Sequence, residues 1–203
     1  MDESDKCRLF VIRKSARPGC FEKQECLPVT YKSNKKTWMM QDMFTSWLCK
    51  FDEDMVAEKQ QVTLILDNCT AYNIKPKLTA VELKFLPTNT TAKCQPLDQG
   101  VIATVKALYK KCICERVLLS MQQQQPLKVN LRGAIDMVAA SWWQVKATTI
   151  RKCFNKAGFM RNAEALEADE PSDNVADETV NTNDMWSSLV ESKFVSATDI
   201  FQE

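Results

Sequence analysis

The segment QVTLILDN, residues 61 to 68, constrains this chain more than any other. It is short, β-branched and apolar without polar alternation, and such a run fits a strand covered on both faces rather than one with a wet side. The apolar stretch stops at Asp67-Asn68, which sets a carboxylate at the mouth of the strand. A second run, VELKFLP from Val81 to Pro87, reads as the next strand, ended by proline and by the polar TNTT turn. Two strands joined by a weakly periodic connection predict an α/β layer with residues 61–68 as its central strand.

Upstream, CRLFVIR reads as a strand entering the Pro18-Gly19 turn, and the stretch from there to Asn34 reads as loop. From Thr37, the expected N-cap, TWMMQDMFTSWLCKFDEDM places Trp38, Met39, Phe44, Trp47, Leu48 and Phe51 on one helical stripe. After Pro96, the pattern DQGVIATVKALYKKCICERVLLSM predicts a long helix carrying Val101, Val105, Leu108, Ile113 and Val117. Asp98 then falls in its first turn, at the positive end of the helix dipole. Two further helices are expected at about 131–143 and 147–157, the second ended by Gly158. Trp142 and Trp143 read as core residues rather than as a base-stacking platform.

The whole chain holds 27 Lys and Arg against 26 Asp and Glu, and this near balance hides an asymmetry. From Glu164 onward there are 11 acids and one base, while residues 1–163 hold 26 bases and 15 acids. The expected organisation is therefore a body over residues 1–159 and an acidic, largely disordered tail over 160–203. A short apolar patch at 185–201, around Trp186, Leu189, Val190 and Phe194, is able to dock back or recruit a protein partner. A basic body points to an anionic partner, and the plainer alternative is that body and tail screen each other. Arg13, Lys14 and Arg17, then Lys32, Lys35 and Lys36, and then Lys106, Lys110 and Lys111 are the candidate phosphate contacts, each also readable as a solvated face.

The chain has nine cysteines without a CxxC pair and no histidine, which excludes the usual zinc-finger ligand sets. Their odd number and scatter argue against a disulfide framework, so they are read as mostly reduced, buried, small hydrophobes. No stretch has the roughly 18–20 uninterrupted apolar residues of a membrane helix, and MDESDKCRLFVIRK lacks the layout of a signal peptide, so a soluble intracellular chain is expected.

A carboxylate closing an apolar strand is costly unless it meets a metal, a cation or good hydrogen bonds, which makes Asp67 the first candidate for chemistry. Asp98 lies inside CQPLDQG at a helix start, and a fold that brings helix start to strand end would pair the two. Paired carboxylates bind Mg2+ or Mn2+.

The blocks LILDNCTAY, FLPTNTTAKCQPLDQGVIATVKALY and WWQVKATTIRKCFNKAGF resemble successive blocks of the pogo, tigger and jerky group of transposase-derived proteins. SARPGCF and LPVTYKSNKKTWM resemble the block that precedes them, and the likeness keeps order and spacing from about Cys7 to Phe159. It implies an α/β, RNase H-like (DDE transposase/integrase) fold, here lacking its first strands. In that fold three acidic residues hold two divalent metals, Mg2+ or Mn2+, one activating the attacking oxygen and one stabilising the leaving oxygen.

On this likeness Asp67 stands at the second acid and Asp98 at the third. The first belongs on a strand before CRLFVIR, where only MDESD stands; Asp2 and Asp5 lie too close to CRLFVIR to take the role. The group commonly has a histidine shortly after the Asp-Asn pair, where this chain has Tyr72, and its upstream helix-turn-helix domains have no counterpart here. The expected function is a transposase-derived nucleic-acid-binding protein of the nucleus, catalytically inactive, with metal binding weak or lost. The alternatives are an active metal-dependent endonuclease, if the natural chain is longer, and a protein-interaction scaffold using the acidic tail. A sheet missing its first strands would also expose an edge able to self-associate.

Overall fold

The structure is a computed structural model, described for residues 6–21, 26–72 and 76–159. The tail 160–203 and its apolar patch, like Asp2 and Asp5, lie outside the described residues.

Strands β1 (Phe10–Arg13) and β2 (Thr30–Ser33) pair in parallel, in register from Phe10 opposite Thr30 to Arg13 opposite Ser33. The sequence reads β2 as loop because a four-residue TYKS run carries no periodicity of its own; its hydrogen bonding to β1 makes it a strand. Helix α1 spans Gln41–Ala57. It leads to a second parallel pair, β3 (Val62–Leu66) and β4 (Val81–Phe85), in register from Val62 opposite Val81 to Leu66 opposite Phe85. The rest is helical: α2 (Thr91–Cys94), a 3-10 turn at Pro96–Gln99, α3 (Val101–Gln122), α4 (Leu131–Gln144) and α5 (Ala147–Lys156). The α/β expectation holds, but among the described residues the strands form two two-stranded sheets rather than one layer.

Strand β3 is correspondingly not covered on both faces. Leu64 and Leu66 pack with Val81 and Leu83 against Phe44, Leu48 and Trp47 of α1, whereas Thr63 is exposed. Thr37 does not cap α1: it has φ +52°, and Met40 takes the cap position without a side-chain bond. Asn34 organises the entry instead, its amide donating to the Trp38 carbonyl at 2.7 Å, and Trp38 leaves the stripe at 67% exposure.

Helix α3 buries different faces along its length. Val101, Val105 and Leu108 pack with Val145, Ile150 and Cys153, while Ile113 and Val117 pack with Met137 and Leu127. Helix α4 also carries Ile135 and Ala139 under the β1–β2 pair, against Val29, Val11 and Tyr31. Its start is capped by Asn130, which accepts from the Gly133 N–H at 2.9 Å. Gly158, with φ +84°, ends α5 as expected.

Only half of the tryptophan expectation survives. Trp142 packs against the Val101–Val145–Cys153 cluster and donates its indole N–H to the Cys7 carbonyl at 2.9 Å, but Trp143 is 49% exposed. Adjacent helical residues point about 100° apart and do not share one core face. Lys6 covers the end of this helix, donating to the carbonyls of Trp142, Trp143 and Val145. All nine cysteines are free, yet just Cys114 and Cys153 are buried and Cys7 and Cys26 are exposed, so burial does not account for most of them. No helix among the described residues is long and apolar enough to cross a membrane.

Candidate carboxylate site and nucleic-acid interface

The parallel β3–β4 pair directs both of its C-terminal ends the same way, the end at which parallel α/β layers place their ligands. Asp67 follows β3 directly and is partly buried; one carboxylate oxygen accepts the Cys69 N–H at 3.1 Å, an Asx turn that swings the chain into a 3-10 turn at Thr70–Tyr72. Asn68 donates its side-chain amide to the Leu86 carbonyl, and the Leu86 N–H donates to the Leu66 carbonyl at 2.8 Å, so the exits of the two strands are tied together. Tyr72 stands on the Phe44 ring, centroids 4.5 Å apart. Burial, reinforced by the negative charge of Asp67 and by Cys69, raises its phenol above the ordinary value, so Tyr72 is a neutral hydroxyl beside Asp67.

The chain leaves β4 at that same end and reaches Asp98 through α2. Asp98 is not in the first turn of α3: it is exposed, on the 3-10 turn Pro96–Gln99, and Gly100 separates the two helical segments. Gly100 has φ +150°, and a Cβ there would stand 3.1 Å from the Cys153 sulfur of α5. Both facts require glycine. Gly100→Ala is expected to destabilise the protein by about 1–3 kcal/mol, measured by urea unfolding, because strain and a buried close contact coincide.

The divalent cations that the likeness implies need a set of oxygen ligands of defined number and geometry. Asp67 and Asp98 are of the right chemical kind. The described residues, however, contain no group of three or more His, Cys, Asp or Glu able to hold a metal ion, and one oxygen of Asp67 is already engaged by Cys69. Among these residues the ligands of a two-metal centre are not met.

The basic residues divide into two sets. Arg13 ends β1 opposite Ser33, and the Asn34 N–H donates to the Arg13 carbonyl at 3.0 Å, so Lys14 and the Lys35-Lys36 pair continue from adjacent strands at one end of the sheet. Lys32, opposite Ile12, lies one residue back. The Tyr31 hydroxyl donates to the Ser15 carbonyl at 2.7 Å, pinning the turn that carries Arg17. Lys14, Arg17, Lys32, Lys35 and Lys36 are all exposed. The second set rides on α3, where Lys106 and Lys111 are exposed and Lys110 is partly buried.

Sequence reasoning missed Asp52. It is buried near the end of α1, and its carboxylate accepts the N–H groups of Thr79, Ala80 and Val81 at 2.8 to 3.1 Å. Burial opposes the charged form, but these three donors outweigh it and hold the carboxyl below its ordinary value. The available signal was position, since Asp52 comes one turn after Leu48 on the apolar stripe.

An α/β domain with a carboxylate, Asp67, at the end of a parallel strand pair and with clustered basic residues at the end of another is the class of protein defined so far. The chain belongs to the DDE superfamily endonuclease family, which it matches over residues 1–154. It is 33% identical over 159 residues to Tigger transposable element-derived protein 4 of Mus musculus, covering 78% of this chain and 31% of that protein. It is 32% identical over 161 residues to human Major centromere autoantigen B, covering 78% of this chain and 26% of the relative. ARS-binding protein 1 of Schizosaccharomyces pombe is 29% identical over 181 residues, with 77% of this chain and 33% of that protein covered. The chain thus spans about a quarter to a third of the length of these relatives. No solved structure matches it.

Proposed function

We propose that this chain is a transposase-derived, RNase H-like domain that binds duplex DNA through its phosphates and does not cleave it. The observation that carries the proposal is the parallel register of β1 and β2, which gathers Arg13, Lys14, Lys32, Lys35 and Lys36 from two segments of chain at one sheet end. Such clustered cations neutralise adjacent phosphates and release their counterions, the main source of sequence-independent affinity. Arg17, Lys106, Lys110 and Lys111 extend the basic surface. The names of the centromere and ARS-binding relatives support a chromosomal, nuclear role.

The non-cleaving reading is supported by the donor set of the described residues, which contain no group of three or more His, Cys, Asp or Glu able to hold a metal ion. In this reading Asp67 and Asp98 stand as the second and third acids of the family set, and two carboxylates without a third bind a Mg2+ or Mn2+ pair weakly. Residues 160–203 form a separate acidic tail in this account, not part of the nuclease-like body.

A second reading, an active metal-dependent endonuclease, is favoured by the retention of Asp67 at the C-terminal end of β3 and of Asp98 on the Pro96–Gln99 turn. One experiment separates the two. Supercoiled plasmid incubated with the protein and Mn2+ is expected to stay intact, while duplex binding survives Asp67→Ala unchanged. Nicking that disappears in both Asp67→Ala and Asp98→Ala would establish the nuclease.

A further inference from the structure

We infer that the exposed face of α5 is a second phosphate-binding surface, separate from the β1–β2 end, and that one molecule thereby holds two duplex segments at once; the inference rests on the DNA-binding reading above. Helix α5 turns Ile150 and Cys153 toward Val101 and Val145 in the core, and its opposite face carries Thr148, Arg151, Lys152, Asn155 and Lys156, all exposed. These positions recur at three- and four-residue intervals, so they share one side of the helix. Residues 137–159 contain four bases and no acid. The neighbours of α5 add little negative charge: residues 101–108 of α3, which pack on it, contain no acid, and the Pro96–Gln99 turn contributes Asp98 alone. Lys156, in the last turn, suits the helix dipole, but that reason does not extend to Arg151 and Lys152 one turn earlier.

The hydrogen bonds set this face apart from the first surface. Val145, two residues before α5, accepts from Lys6 through its carbonyl, as do Trp142 and Trp143, and the Trp142 indole donates to the Cys7 carbonyl. Helix α5 therefore begins beside the chain that enters β1, whereas Arg13 and Lys14 stand where β1 ends. The extended chain from Cys7 to Lys14 covers on the order of 20 Å. The grooves of B-DNA are about 12 Å and 6 Å wide, so two cation sets at that spacing do not flank one groove. Each suits a duplex segment of its own. Because α5 offers fewer cations than the sheet end, it is the weaker surface, and salt releases its duplex first.

The test mixes the full chain with two short duplexes, one carrying a donor fluorophore and the other an acceptor. Energy transfer between them is expected to rise as native chain is added and to fall again at excess protein, where each duplex has a molecule to itself. In the double variant Lys152→Glu and Lys156→Glu, transfer is expected to drop at least about fivefold while anisotropy gives an affinity for a single duplex within about twofold of native. The milder pair Lys152→Gln and Lys156→Gln should show the same split less strongly, which separates lost charge from lost folding. Transfer that persists in both double variants would mean that self-association joins the duplexes, and overturns the inference. A native chain that binds one duplex but gives no transfer overturns it too. So does a double variant that loses single-duplex affinity as steeply as transfer, since α5 would then belong to the first interface. No duplex binding by the native chain would remove the DNA-binding reading itself, and this inference with it.

Discussion

Asp52→Ala is expected to lower the thermal midpoint by roughly 5–10 °C, because it strips three backbone N–H groups of their shared acceptor without offering another. The carboxylate joins the last turns of α1 to the start of β4, and successive N–H groups facing one anion form a backbone nest. Releasing it loosens the α1–β3–β4 unit whose far end carries Asp67. Asp52→Asn keeps one acceptor oxygen and is expected to lose less. The pH dependence has a definite sign. An unstructured aspartate titrates near 3.8 and the folded Asp52 titrates lower, so its contribution is complete above that value and is lost as pH falls through the folded value. Thermal melts followed by circular dichroism from pH 6 to pH 2.5 should show a steep acid limb below about pH 4 in the native chain and a shallower one in Asp52→Asn.

Reversing charge at the sheet end is expected to weaken duplex binding most. The triple variant Lys14→Glu, Lys35→Glu and Lys36→Glu should lose on the order of 100-fold in affinity at low salt, since each change removes a phosphate contact and adds a repulsive carboxylate. These side chains are exposed, so the variant should melt with the native chain and the loss reads as binding rather than folding. Anisotropy titrations measure it, with Asp67→Ala as a comparator whose affinity stays unchanged. A triple variant that binds like the native chain would move the interface away from β1–β2.

The elements legible in the sequence are those whose periodicity is local. Strands β3 and β4, α1, α3, α4 and α5 all fall near the ranges their patterns predict. What escaped depends on partners distant in sequence. Strand β2 exists through its ladder with β1, and β3 reads as a central strand although β4 is its partner in a two-stranded sheet. Thr37 has the chemistry of a cap but sits at positive φ, held outside the helix by Asn34 binding Trp38. The sequence pattern sets Asp98 in the first turn of α3, whereas Gly100 breaks the helix for a packing reason, the nearby Cys153 sulfur, that no local pattern records. Asp67 and Asp98 were legible as candidates from strand end and motif. Asp52 was not, because its three N–H partners lie some 27 to 29 residues further along the chain.

The most direct test of the DNA-binding account is the duplex affinity of the native chain as a function of salt. Five or six engaged cations predict a straight line of log Kd against log salt with a slope magnitude of roughly 4.5 to 5.5, at about 0.9 per phosphate neutralised, with affinity falling as salt rises. A slope near zero, or no duplex binding at the lowest salt, would contradict a phosphate-reading surface on this domain.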